Sequence, residues 1–117
     1  MATDLVGNKT LQRFIQLLSD LNHETAEVFS TGNTAVLKRM NDTILEMYSI
    51  QQAGTEDAYT AIEEDAQIIY KNFNAIVAMM QSNESDRADG VTSAAVKKFL
   101  RNIFDANIRI LTAYGLV

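Results

Sequence analysis

The chain contains no cysteine, no proline and no tryptophan, and it has a single histidine among its 117 residues. Without cysteine the protein has no disulfide, no thiolate nucleophile and no cysteine ligand for a metal ion. The lack of proline removes the residue that most strongly interrupts a helix. Composition therefore excludes cysteine chemistry and favours long, uninterrupted helices.

Positive charge and long apolar runs are also scarce. The formal net charge is −5, which disfavours binding to nucleic acid or to an anionic membrane surface. The longest apolar run, residues 75–80, is far shorter than the roughly 20 residues that cross a bilayer. Residues 1–9 do not have the pattern of a secretory signal. We therefore expect a cytoplasmic protein that binds neither nucleic acid nor a membrane.

The clearest positive pattern is an apolar ladder whose steps alternate between three and four residues. This spacing is typical of a helix that packs lengthwise against other helices. The ladder consists of Tyr59, Ile62, Ala66, Ile69, Phe73, Ile76 and Met80. It predicts that the fold is all-α.

Apolar periodicity and turn-forming residues divide the rest of the chain in the same way. They predict one domain, residues 1–117, as an up-down antiparallel four-helix bundle with short loops. The four predicted helices span approximately 9–30, 34–52, 56–81 and 92–114.

The predicted breaks between helices differ in strength. Gly32 is expected to end the first helix, and the polar segment 82–90 is expected to be a loop. Gly54 is expected to end the second helix, but one glycine costs a helix only about 1 kcal/mol. The second and third predicted helices could therefore be continuous.

The third and fourth predicted helices carry more apolar residues than one core stripe requires. Phe104, Ile108 and Leu111 widen the apolar arc of the fourth helix, and Ile68 and Met79 lie opposite the ladder on the third. Such a surplus is typical of a surface that contacts a second copy or a partner protein. The alternatives are a central position for the fourth helix, or ordinary exposed apolar residues.

The fourth predicted helix is also basic at its start, where Lys97, Lys98 and Arg101 cluster. One interpretation is a docking patch for an acidic partner, and the other is a solvated surface. If the third and fourth helices form an antiparallel hairpin, Arg109 is expected to lie near Asp65.

The single histidine is the first candidate for chemistry. Asp20, His23 and Glu27 share the polar face of the first helix, as a metal or acid–base cluster would require. Inward-facing di-iron bundles, however, use two Glu-x-x-His pairs, and this face is expected to be exposed. His23 and Glu24 resemble the His-Glu pair of sensor-kinase dimerisation helices, but the residues that continue that motif are missing.

These patterns predict a non-catalytic protein–protein interaction module, such as an adaptor, an assembly factor or an inhibitor. We expect it to be a homodimer formed through the third and fourth helices, without catalytic residues, cofactor or metal. One alternative is a small acidic cytosolic chaperone that binds a helical client through adaptable methionines. A less favoured alternative is a histidine phosphorelay or metal-binding bundle that uses His23.

Overall fold

The structure, a computed structural model, describes residues 9–54, 57–82 and 94–116. This part of the chain is almost entirely helical and contains no strand, so the predicted all-α class is confirmed. Its five helices are α1 (Lys9–Thr31), α2 (Thr34–Ala53), α3 (Asp57–Ala61), α4 (Glu63–Ser82) and α5 (Ala94–Ala113). Residue 56 and residues 92–93 of the predicted helices, and the predicted loop from residue 83 to 90, lie outside the described residues.

The turn between α1 and α2 forms where the sequence predicts it. Gly32 has a φ of 69°, in the left-handed region that glycine adopts without strain. Its N–H donates to the Val28 carbonyl at 2.8 Å. The side chain of Asn33 then accepts a hydrogen bond from the Ala35 N–H at 3.0 Å and caps the start of α2.

Gly54 ends α2, but its backbone is extended rather than left-handed, with φ −81° and ψ 144°. Its N–H still donates to the Ile50 carbonyl at 2.9 Å. The glycine therefore ends the helix without the left-handed turn that is common for a glycine in this position.

The third predicted helix, 56–81, is interrupted at Ile62, which separates α3 from α4. In a continuous α-helix the Ile62 N–H would donate to the Ala58 carbonyl. That carbonyl instead accepts a hydrogen bond from the Tyr114 hydroxyl at 2.9 Å. The Ile62 N–H donates to the Tyr59 carbonyl at 3.3 Å. The helix is thus interrupted where the Tyr114 side chain donates to a carbonyl that would otherwise accept a hydrogen bond within the helix.

Three pairs of long helices pack in antiparallel orientation. Between α1 and α2, Arg13 lies against Glu46 and Glu27 against Arg39. Between α4 and α5, the Arg109 guanidinium donates to the Asp65 carboxylate at 2.8 Å, which confirms the contact predicted for an antiparallel hairpin.

Asn107 links α5 to α1, because its side-chain amide donates to the Leu18 carbonyl at 2.8 Å. Toward the other end of this pair, Phe29 of α1 lies beside Lys97 of α5. Residue numbers therefore rise along α1 as they fall along α5, so that these two helices are also antiparallel.

The core lies between the long helices. Six of the seven ladder residues are buried, and the seventh, Met80, is partly buried against the core. Each long helix contributes side chains with no exposed surface, such as Phe14, Met47, Ile69 and Ile103. Burying a side chain of this size contributes about 1.5–3 kcal/mol, so the apolar stripes stabilise the packing of all four helices.

Candidate functional site

A groove of about 360 Å³ lies on the surface between α1 and α5, and we call it the α1–α5 groove. Thr25 and Leu100 are buried and form its floor, while the half-buried rings of Phe29 and Phe104 form its apolar walls. Its exposed lining residues are Ala26, Ser30, Arg101 and Asp105. Two aromatic side chains are thus partly open to solvent in a groove between two antiparallel helices.

The groove follows from the spacing of residues on the two helices. Lys97, Arg101, Phe104 and Ile108 are separated by four, three and four positions, so they lie along one stripe of α5. On α1, Ala26 presents only a methyl group beside this stripe. A small side chain there leaves space between the helices.

The Thr25 hydroxyl at the floor of the groove already forms a hydrogen bond. The Thr25 hydroxyl donates to the Leu21 carbonyl of its own helix at 2.6 Å. With that hydroxyl satisfied, the floor is formed by the aliphatic surface of Thr25 and Leu100. A partner that enters the groove therefore meets a mainly apolar surface.

Positive charge lies over one aromatic wall of the groove. The Lys97 ammonium is 5.6 Å from the centre of the Phe29 ring, and the Arg101 guanidinium carbon is 5.9 Å from it. Both distances are within the range of a cation–π contact. Within the described part of the chain, neither Arg101 nor Asp105 forms an ion pair.

The structure separates the apolar residues that the sequence singles out. Phe104 and Ile108 are half-buried, and Phe104 lines the groove. Leu111 is 8% exposed and belongs to the core. Ile68 and Met79 of α4 are partly buried and pack against the core. Of this set, Phe104 lines the α1–α5 groove, and Ile108 continues its stripe along α5.

The basic cluster is divided as well, because Lys97 and Arg101 lie over Phe29 whereas Lys98 is simply exposed. Sequence reasoning did not single out the α1 side of the groove, which is formed by Thr25, Ala26, Phe29 and Ser30. The available signal was Ala26, a small residue three positions before Phe29 on α1.

The two carboxylates of the polar trio around His23 are engaged by other side chains. The Asp20 carboxylate accepts a hydrogen bond from Gln16 at 3.0 Å, and the Glu27 carboxylate pairs with Arg39 at 3.1 Å. His23 is exposed. The described residues contain no group of three histidine, cysteine, aspartate or glutamate side chains that could hold a metal ion.

Glu24 is the half-buried carboxyl group between α1 and α2. Burial raises its pKa, whereas a hydrogen bond from the Thr43 hydroxyl, 3.1 Å from Oε2, lowers it. The nearby carboxylates of Asp20 and Asp42 raise the pKa further, and Arg39 lowers it. Its Oε1 is buried without a hydrogen-bond partner among the described residues. Glu24 is thus a polar contact between helices.

Comparison of the chain with protein-family models, with curated proteins and with solved structures finds no match. None of the helices in the described ranges is both long enough and apolar enough for a membrane crossing. The α1–α5 groove is therefore the feature from which we infer a function.

Proposed function

We propose that the protein is a non-catalytic protein–protein interaction module that binds a helical segment in the α1–α5 groove. The observation that carries the proposal is the pair of partly exposed rings, Phe29 and Phe104, facing one groove. Aromatic residues in a concave apolar site are typical anchors of protein interfaces. An adaptor, an assembly factor or an inhibitor would each use such a surface.

The scaffold that we propose is an up-down antiparallel four-helix bundle built from α1, α2, α4 and α5. Contacts between α2 and α4 support closure of the bundle. The Tyr70 hydroxyl donates to the Gln51 side chain at 2.7 Å. The rings of Tyr48 and Tyr70 meet edge to face with centres 5.3 Å apart.

A helix is the form of partner that suits this groove best. Its walls are two antiparallel helices, and a third helix packs on such a pair by placing its side chains between their ridges. An amphipathic helix that binds in a groove uses apolar anchors spaced three or four residues apart. Leu100 and Phe104 line the groove four positions apart on α5, so they can contact successive anchors of such a helix.

The proposal assigns no catalytic step, cofactor or metal to the chain, and it places the interaction in the cytoplasm. Asp20 and Glu27, which share a helix face with His23, are engaged by Gln16 and Arg39, and this supports a non-catalytic role. A negative net charge and a mixed-charge groove favour a protein partner over nucleic acid.

Site-specific photo-crosslinking in cells tests the proposal. A photoreactive phenylalanine analogue replaces Ser30, an exposed residue in the lining of the groove, so that Ala26 and the space beside it are kept. We expect a discrete crosslinked protein, either a second copy or another chain. The second variant Phe104→Asp in the same protein should abolish the adduct, since it places a charge on the apolar wall.

The matched control places the same analogue at Ala78, an exposed alanine on α4. Adducts of equal pattern and yield at positions 30 and 78, or adducts at 30 that persist with Phe104→Asp, would overturn the proposal. Circular dichroism of each variant verifies that helicity is retained. A crosslink from position 30 to a different helical protein would favour the chaperone alternative within this proposal.

A further inference from the structure

We propose that the segment bound in the α1–α5 groove is α5 of a second copy of this chain, packed antiparallel across a two-fold axis. This inference rests on the proposed function, because it names the occupant of the same groove. It is carried by the two charged side chains of the groove, Arg101 and Asp105, and by their positions on α5.

Arg101 and Asp105 have opposite charge and lie four residues apart on the same stripe of α5. Their charges are not paired with each other or with another described residue. In a two-fold interface, if residue i of one copy contacts residue j of its partner, then j contacts i. An antiparallel pair of α5 helices therefore places Arg101 of each copy opposite Asp105 of the other and forms two ion pairs.

This register also brings the apolar residues together. The midpoint between Arg101 and Asp105 is Ile103, so the two-fold axis passes near that level of the helix. The two copies of Phe104 then lie about 3 Å apart along the axis direction, at a rise of 1.5 Å per residue. Their side chains can meet at the centre of the interface, where anchors contribute most.

The same register places the apolar end of the α5 stripe in one copy beside its basic end in the other. Ile108 of one copy faces the level of Lys98 in the other, close to the neighbouring Lys97. Long basic side chains cover apolar surface with their methylene groups while the ammonium stays in water. The exposed basic residues at the start of α5 thus lie beside an apolar residue that is half-buried in the single chain.

The sign of the charges favours a second copy over an acidic helix of another protein. An acidic segment would pair with Lys97 and Arg101, but it would also face the carboxylate of Asp105 inside the groove. Like charges placed opposite each other oppose binding. An antiparallel helix with an acidic residue opposite Arg101 and a basic residue opposite Asp105 can pair with both. The α5 helix of a second copy is such a helix.

Charge-reversal variants test this register by sedimentation velocity. Arg101→Glu places two carboxylates opposite each other twice per dimer, and Asp105→Lys does the same with two cations. We expect each single variant to raise the dimer dissociation constant about tenfold or more. Mixing the two single variants should restore both ion pairs in a heterodimer, and the double variant Arg101→Glu/Asp105→Lys should restore the homodimer.

The matched controls are Lys71→Glu and Glu64→Lys, which make the same charge changes at exposed positions on α4. We expect both controls to dimerise like the unaltered chain. A chain that is strictly monomeric at high micromolar concentration, or a dimer that neither single variant weakens, or single variants that do not associate when mixed, would overturn the inference.

Different results would refute the interaction module and the second copy as the occupant of its groove. A monomeric chain with crosslinks from position 30 to a different protein refutes the second copy but leaves the interaction module in place. A dimer that forms equally well with Phe104→Asp refutes the α1–α5 groove as the binding surface, and with it both proposals.

Discussion

Asn107 donates a hydrogen bond from its side-chain amide to the Leu18 carbonyl at 2.8 Å, and it has no exposed surface. Its Oδ1 has no hydrogen-bond partner among the described residues. An unsatisfied buried polar atom costs about 1–3 kcal/mol. Asn107 therefore fixes the relative position of α1 and α5 by one directional bond, while its carbonyl oxygen weakens the core.

Replacing Asn107 by leucine tests this balance. Leucine has nearly the same size, loses one hydrogen bond and removes the unsatisfied oxygen. We expect the free energy of unfolding to change by less than about 1 kcal/mol, or to rise. Urea denaturation at pH 7 measures it, and a loss above about 3 kcal/mol would show that the hydrogen bond outweighs the orphaned oxygen.

Aspartate at the same position should behave in the opposite way. A carboxylate without a cationic partner is strongly disfavoured in the core, so its pKa should be raised. We expect Asn107→Asp to destabilise by about 3 kcal/mol or more at pH 7. Because a raised pKa gives stability that is present at low pH and lost as pH rises, the deficit should shrink at pH 4. Urea titrations at the two pH values decide it.

Tyr114 links the end of α5 to the break between α3 and α4, through its bond to Ala58. Phenylalanine at position 114 keeps the ring and removes the hydroxyl. We expect a loss of about 1 kcal/mol in the free energy of unfolding. We also expect the Ile62 N–H to gain the Ala58 carbonyl as acceptor, which slows its exchange with deuterium. Unchanged or faster exchange at Ile62 would mean that the hydroxyl does not cause the break.

The break at Ile62 shows what the sequence alone could not predict. The ladder from Tyr59 to Met80 correctly marks the buried face, because burial follows local periodicity. Nothing local marks the break, since Ala58 and Tyr114 are 56 residues apart in the chain. A hydrogen bond over that distance is a consequence of packing, so sequence periodicity cannot reveal it.

The groove was predictable on one side only. Phe104 and Ile108 stand out because the apolar arc of α5 is wider than a core contact needs. Phe29 does not stand out, since its own helix has an ordinary apolar arc, and its exposure depends on how α1 lies beside α5. The contact between Arg109 and Asp65 was predictable because one antiparallel hairpin fixes it.

Because of Tyr70, we expect the free energy of unfolding to depend on pH in the alkaline range. Burial, and next the neighbouring Tyr48, raise the pKa of Tyr70 above its ordinary value of 10.0. The folded protein therefore holds this proton more tightly than the unfolded chain, and stability is lost as pH rises above about 10. We expect Tyr70→Phe to cost about 1 kcal/mol at pH 7, by losing its bond to Gln51.

The difference between the unaltered chain and Tyr70→Phe should shrink from pH 9 to pH 11, because only the unaltered chain must keep that phenol protonated. Urea unfolding at both pH values measures it. Lysines also titrate in this range, but they are common to both proteins and cancel in the difference. A difference that is constant with pH would show that Tyr70 does not contribute to the alkaline loss.

Glu24 gives a corresponding dependence at acidic pH. Its pKa is raised chiefly by burial, so the carboxyl stabilises the fold fully below the ordinary pKa of 4.5, and this stabilisation is lost as pH rises through the folded-state value. Glu24→Gln keeps the shape and an acceptor for the Thr43 hydroxyl. We therefore expect it to stabilise the protein at pH 7 by under about 1 kcal/mol, since part of the side chain is exposed.

At pH 4 the unaltered Glu24 is protonated in the folded chain, and the advantage of glutamine should disappear. Thermal unfolding of both proteins at the two pH values measures the change. Glu63→Gln is the matched control, because Glu63 is an exposed glutamate at the start of α4. An equal gain with the control would assign the effect to net charge, whereas a gain confined to Glu24→Gln assigns it to burial of that carboxylate between α1 and α2.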